Sequence, residues 1–76
     1  MTLKEIATTI QLEYPGTVCK VKLKENQIWL QSDRWPDETF LLLSPHYQNR
    51  IRDGMFNDLD MKCILIEVDR IQRWGY

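Results

Sequence analysis

The chain has 76 residues, of which 43% are hydrophobic and 28% are charged, and its formal net charge is −1 at pH 7. A chain of this length buries about 60% of its unfolded surface in one thin core, so residues 1–76 are predicted to form a single small globular domain. The slightly acidic balance argues against a general nucleic-acid binder, and since no apolar run suits a membrane span or a secretory signal, we expect a cytoplasmic protein.

The first predicted element is a helix over residues 3–14. Thr2 and Glu5 fit the capping box, in which each side chain accepts a hydrogen bond from the backbone N–H of the other residue. Apolar residues then recur at helical spacing and form one stripe of Leu3, Ile6, Ala7, Ile10 and Tyr14. Pro15 and Gly16 are typical helix breakers and end the helix.

A β-hairpin is predicted next. Residues 18–31 alternate apolar and polar side chains with a period of two, and the alternation is broken once, at Glu25 and Asn26. This pattern is typical of two strands that share one buried face and one solvated face, here 17–24 and 27–32.

The register of the hairpin follows from the same alternation. A two-residue turn places Lys22 opposite Trp29, whereas a three-residue loop would turn the lysines toward the apolar side and bury charge. The apolar face then consists of Cys19, Val21, Leu23, Ile28 and Leu30. The solvated face carries Lys20, Lys22, Lys24 and Trp29.

Two elements are predicted after a loop at 33–37. A third strand at 38–43 is apolar on both faces, which favours a central, covered position. Ser44 as N-cap and Pro45 at the first helical position then begin a second helix over 45–53.

The last element is predicted to be a strand. Residues 62–68 follow a polar loop at 55–60 and are dense in β-branched side chains, so the alternate residues Ile64, Ile66 and Val68 would face the core. The tail would add a helical turn in which Ile71 and Trp74 pack back. The predicted fold is thus α+β in the order α-β-β-β-α-β, with a three- to four-stranded, mainly antiparallel sheet and two helices packed on one face.

Few residues suggest catalysis or metal binding. His46 lies at the start of the second helix, and the nearby Ser44 is explained as its cap, so no nucleophile–base pair is readable. Cys19, Cys63 and His46 match no zinc spacing, and we expect both cysteines to be free and buried. We therefore predict no enzyme, no metal and no cofactor. The third alternative is a small enzyme or an accessory subunit of one.

One surface points beyond folding. The lysine row beside Trp29, together with the following loop, supplies residue types that are common at binding hot spots. The candidate binding residues are Lys20, Lys22, Lys24, Trp29, Gln31, Arg34 and Trp35. The plainer interpretation is a solvated strand face in which Lys22 and Trp29 form an internal cation–π pair, and Trp35 is equally consistent with an exposed hot spot or a core plug.

From these residues we predict a small protein-interaction or regulatory module. It would bind another protein, acidic in character, through the outer hairpin face and the Trp35 loop. The alternative is sheet-based binding of single-stranded nucleic acid, with lysines on phosphates and Trp29 stacked on a base. Unpaired strand edges also allow a homodimer.

Overall fold

The computed structural model of the protein describes residues 1–14 and 19–74. These residues form three helices and one three-stranded antiparallel sheet with the strand order β1-β2-β3. The elements in chain order are α1 (Leu3–Glu13), β1 (Lys20–Lys24), β2 (Gln27–Gln31), β3 (Thr39–Phe40), α2 (Pro45–Arg52) and α3 (Asp58–Trp74). The predicted α+β class is confirmed, but the predicted order is wrong in its last element, which is a helix.

Helix α1 begins as the sequence indicates. The Thr2 hydroxyl accepts a hydrogen bond from the backbone N–H of Glu5, and the Glu5 carboxylate accepts one from the backbone N–H of Thr2, each at 3.2 Å. Ile6 and Ile10 point into the core and are fully buried. The predicted helix stop and the first residues of the predicted strand fall within 15–18, outside the described residues.

The predicted hairpin register is confirmed. Lys22 pairs with Trp29 and Val21 pairs with Leu30. Glu25 and Asn26 form the two-residue turn with φ angles of 55° and 60°, the left-handed values that match the twist of a hairpin. The alternation of the flanking strands fixes this register because a slip by one residue would bury the lysines.

The third strand differs from its prediction. β3 contains only Thr39 and Phe40 and pairs with β2, so it lies at an edge of the described sheet and not at its centre. One further backbone bond follows β3, in which the Leu41 N–H donates to the Ile28 carbonyl at 2.8 Å. Leu41 is buried, but Phe40 is 40% exposed and Leu42 is 77% exposed. One side of this apolar segment is therefore open.

Helix α2 begins at Pro45 as predicted, although the Ser44 side chain makes no capping hydrogen bond. Its end is a Schellman motif. The Met55 N–H donates to the Arg50 carbonyl at 2.8 Å, and Gly54 adopts a φ of 73°, a conformation in which glycine avoids the Cβ penalty.

Residues 62–68 belong to α3, and the predicted strand is wrong. The apolar residues that α3 buries recur three or four positions apart, and they are Met61, Ile64, Val68 and Ile71. Ile66, predicted to face the core, is 64% exposed. The helical period becomes visible only when Met61 and Ile71 on either side of the β-branched run are included.

The start of α3 lies in the segment that was predicted to be a loop. The Asn57 side-chain oxygen accepts hydrogen bonds from the N–H groups of Leu59 at 3.0 Å and Asp60 at 3.1 Å. The Asp60 carboxylate accepts in return from the Asn57 N–H at 3.1 Å. These reciprocal bonds satisfy N–H groups that a helix end otherwise leaves unpaired.

The core lies between the inner side of the sheet and the helices. α1 packs on β1 and β2 and also contacts α3, so the predicted pair of helices on one sheet face is not confirmed. Cys19 is buried within the core, whereas Cys63 is exposed on α3, which corrects the prediction of two buried thiols. No helix in residues 1–14 and 19–74 is long and apolar enough to cross a membrane.

Candidate functional site

The side of the sheet that faces away from the core is referred to here as the outer sheet face. It is formed by Lys20, Lys22, Lys24, Gln27, Trp29, Gln31, Glu38 and Phe40. Lys22 pairs with Trp29, and Trp29 pairs with Phe40, so these three side chains form a row across all three strands. Since side chains alternate along each strand, the same alternation that buries Ile28 and Leu30 presents this row to solvent.

An aromatic pair lies at the centre of the outer sheet face. The ring centres of Trp29 and Phe40 are 5.4 Å apart and the rings are tilted by 55°, a favourable geometry for two aromatic side chains. Trp29 is half-buried, while its ring nitrogen is fully covered and has no hydrogen-bond partner among the described residues. A buried donor without a partner costs about 1–3 kcal/mol, so the contacts of the Trp29 ring have to offset this cost.

Lys24 covers one side of this aromatic pair. Its ammonium nitrogen lies 5.1 Å from the centre of the Trp29 ring. The sequence pointed to Lys22 as the cation beside Trp29, because Lys22 is directly opposite in the pairing. A long side chain also reaches the diagonal neighbour across a strand pair, and Lys24 occupies that diagonal position.

Glu38 is the acidic residue of the outer sheet face, and it was not predicted. Its carboxylate lies 3.4 Å from the Lys24 ammonium and 4.0 Å from that of Lys22. Both lysines are exposed and the Glu38 side chain is 30% exposed, so these pairs contribute little to stability. Their main effect is on the net charge of the outer sheet face, because the Glu38 carboxylate offsets part of the positive charge of the lysine row. Lys20 has no ion pair within the described ranges.

The structure separates the predicted binding residues into two groups. Lys20, Lys22, Lys24, Trp29 and Gln31 lie together on the outer sheet face. Arg34 instead turns toward α3, where its guanidinium donates to the Gln72 carbonyl at 3.1 Å and to the Gln72 side-chain oxygen at 3.3 Å. Trp35 is only 9% exposed and belongs to the core. Of the two roles predicted for Trp35, the structure therefore shows packing in the core and not an exposed hot spot.

A groove of about 540 Å³ adjoins the outer sheet face at Phe40 and Leu42. Its walls are the hairpin turn at 25–27, the segment 40–43 and the α2 residues Gln48, Ile51 and Arg52. The lining includes leucine and phenylalanine, the amide residues Asn26, Gln27 and Gln48, and two charged residues of opposite sign, Glu25 and Arg52. Such a lining suits contact with a polypeptide side chain better than proton transfer or nucleophilic attack.

Two further residues that could take part in proton transfer, His46 and Asp60, have structural partners. The exposed His46 ring packs edge-on against Tyr47, with the ring centres 5.4 Å apart. Asp60 binds the Arg50 guanidinium at 2.9 Å, which ties α2 to α3. The Asn57 N–H and this guanidinium hold the pKa of Asp60 below its ordinary value. No group of three His, Cys, Asp or Glu side chains within residues 1–14 and 19–74 is placed to hold a metal ion.

The edge of β1 is partly occupied by a side chain of α1. Gln11 accepts a hydrogen bond from the Val21 N–H at 3.0 Å and donates to the Cys19 carbonyl at 2.9 Å. A partner strand at this edge would have to replace both bonds. The outer sheet face is therefore the more accessible surface of the hairpin.

Comparison with known proteins adds no assignment, since no family model, no curated protein and no solved structure matches the chain.

Proposed function

We propose that the protein is a small cytoplasmic protein-interaction or regulatory module that binds another protein through its outer sheet face. The observation that carries this proposal is the aromatic pair of Trp29 and Phe40 on a sheet surface that no helix covers among the described residues. Aromatic side chains at the centre of an open surface are the residues that most often dominate binding energy. Leu42 at the margin enlarges the apolar area that a partner would cover.

The charges around Trp29 favour a protein partner over single-stranded nucleic acid. A base that stacks on Trp29 competes with the Lys24 ammonium, which already lies over the ring. The Glu38 carboxylate lies among the lysines and repels a phosphate backbone at the point where the lysines would have to neutralise it. The alternative of nucleic-acid binding is therefore disfavoured by two contacts that the sequence did not reveal.

The expected partner has an apolar contact area with acidic groups at its rim. Its apolar side chains would cover Phe40 and enter the adjoining groove, and its carboxylates would approach Lys20 and Lys22. Three lysines against one glutamate leave an excess of positive charge, which accelerates encounter with an acidic surface more than it strengthens the complex. The exposed thiol of Cys63 fits a reducing compartment.

The proposal is tested by affinity capture from an extract of the native host, with nuclease treatment. Phe40→Ser and Lys22→Glu alter the outer sheet face without touching the buried core. Leu12→Ser is the matched control, since Leu12 is 82% exposed but lies on α1. We expect the wild type and the control to retain the same partner, and both sheet-face variants to lose it while keeping a native circular dichroism spectrum.

Two outcomes would contradict the proposal. Retention of the partner by Phe40→Ser would place the binding surface elsewhere. Loss of the captured material on nuclease treatment, together with an affinity that falls steeply with salt, would instead favour nucleic-acid binding, because each neutralised phosphate releases counterions.

A further inference from the structure

Helix α3 is apolar on two sides. Its core side carries the buried residues. On the opposite side Leu59 is 70% exposed, Ile66 is 64% exposed and Cys63 is also exposed. These three positions follow one another at spacings of four and three residues and therefore form one stripe along the helix. A surface helix usually has charged residues on the side away from the core. On α3 this side is charged only from Arg70 onward, four residues after Ile66, so an apolar stripe is left exposed from Leu59 to Ile66.

Four charged residues flank the stripe on one side, and their signs alternate along the helix. At 100° per residue, Asp58, Lys62, Asp69 and Arg73 lie on the same flank of α3. Asp69 binds Arg73 within the helix at 2.9 Å. Asp58 and Lys62 have no ion-pair partner among the described residues, although both are exposed.

We propose that α3 is a self-association surface that pairs with α3 of a second copy of the chain in antiparallel orientation. When the twofold axis passes between Leu65 and Ile66, the same flank of both helices meets at the interface. Lys62 then lies opposite Asp69 of the second copy, and Asp58 lies opposite Arg73 of the second copy. The symmetry produces each pair twice.

The apolar stripe fits the same register. Ile66 meets Ile66 of the second copy at the twofold axis, and Leu59 lies against the aliphatic stem of Arg73 of the second copy, since arginine stems cover apolar surface well. The flank is complementary to itself under twofold rotation, which is why the occupant is a second copy and not an unrelated partner.

The dimer is expected to be weak. Contact along a single helix is smaller than the roughly 800 Å² per partner that stable complexes bury. The corresponding dissociation constant is about 10 μM to 1 mM. The outer sheet face takes no part in this contact, so the self-association and the proposed binding of another protein are independent.

The test is sedimentation velocity of the full chain from about 10 μM to about 1 mM. We expect the wild type to pass from monomer to dimer over this range. Lys62→Glu and Asp69→Lys, each alone, bring like charges together twice and weaken the dimer about tenfold. An equimolar mixture of the two variants restores association, because only the mixed dimer has both pairs attractive. Lys4→Glu on α1, an equal change of charge away from α3, should leave the dimer unchanged.

A second pair of variants leaves the Asp69 side chain in place, since Asp69 also accepts a hydrogen bond from Tyr14 at 3.4 Å. Asp58→Lys and Arg73→Glu should each weaken the dimer and should recover it when mixed. A wild type that stays monomeric at the highest concentration would overturn the proposal. A mixture of either pair that associates no better than its separate components would overturn it as well.

Discussion

Lys24 places its ammonium nitrogen 5.1 Å from the centre of the Trp29 ring, although the strand pairing puts Lys22 and not Lys24 directly opposite this ring. The same ammonium lies 3.4 Å from the Glu38 carboxylate. Lys24 is thus held between an aromatic ring and a carboxylate. It links the hairpin to the chain that enters β3.

The first prediction concerns this linkage. Lys24→Met should lower the free energy of unfolding by about 1 kcal/mol, since it removes an exposed cation–π contact and an exposed ion pair. Lys20→Met changes the same charge on the same strand without either contact and should stay within about 0.5 kcal/mol of the wild type. Urea denaturation at low salt measures both. Equal losses in the two variants would show that the contacts of Lys24 add nothing to stability.

The second prediction concerns the Trp29 ring nitrogen. Trp29→Phe keeps an aromatic ring against Phe40 and removes the covered donor that has no partner, so the lost packing is offset and stability should change by less than about 1 kcal/mol. Trp29→Ala removes the ring and should cost about 2 kcal/mol, less than the loss of a fully buried tryptophan. Thermal unfolding compares the two variants. A loss in Trp29→Phe as large as in Trp29→Ala would mean that the N–H is satisfied in solution.

The third prediction is a pH dependence. The pKa of Asp60 is lowered in the folded state by the Asn57 N–H and the Arg50 guanidinium. A carboxylate with a lowered pKa stabilises the fold above its unfolded pKa, and this stabilisation is lost as the pH falls through the folded pKa. Asp60→Asn should therefore be less stable than the wild type at neutral pH, and the difference should shrink below about pH 4.

Asp53→Asn is the control for this experiment. Asp53 is exposed and pairs only with the adjacent Arg52, at 3.4 Å, among the described residues. Its difference from the wild type should be small at every pH, because an exposed pair between neighbours adds little. Urea denaturation across the acidic range measures both variants. A constant difference between Asp60→Asn and the wild type would contradict the assigned role of the Asp60 carboxylate.

The fourth prediction concerns the two thiols. Burial raises the pKa of the Cys19 thiol, and Cys19 has no exposed surface. Because the thiolate is the reactive form, a maleimide should label Cys63 rapidly and Cys19 only when the protein unfolds. Mass spectrometry after brief labelling should show one modified thiol in the wild type and none in Cys63→Ser. Rapid double labelling of the wild type would show that the core around Cys19 opens readily.

The hairpin could be predicted from the sequence because its register has a strong physical constraint. A slip by one residue would have turned Lys20, Lys22 and Lys24 toward the core, so the alternation excluded the neighbouring registers. Helix α3 was missed because residues 62–68 combine β-branched side chains with an alternation that also fits a strand. The helical spacing depends on Met61 and Ile71, outside that window, and the cap at Asn57 resembled a loop.

The binding surface was predictable only in part. Strand alternation placed the lysines and Trp29 on one face, but the positions of Glu38 and Trp35 depend on the path of the loop between β2 and β3. Local pattern carries no information on that path, since it is set by contacts with distant residues such as Gln72. Phe40 was placed on a covered strand because the apolar run at 40–43 does not reveal which of its sides lacks a neighbour.

The most direct test of the outer sheet face is chemical-shift mapping of the ¹⁵N-labelled protein with the partner obtained by affinity capture. We expect the perturbed amides to cluster in β1, β2 and β3 and in Leu42, with the Trp29 side-chain N–H among the most affected. Amides of α3 should shift little at concentrations where the protein is monomeric. Perturbations confined to α3, or to the α1 residues around Leu12, would contradict the assignment of the outer sheet face as the protein-binding surface.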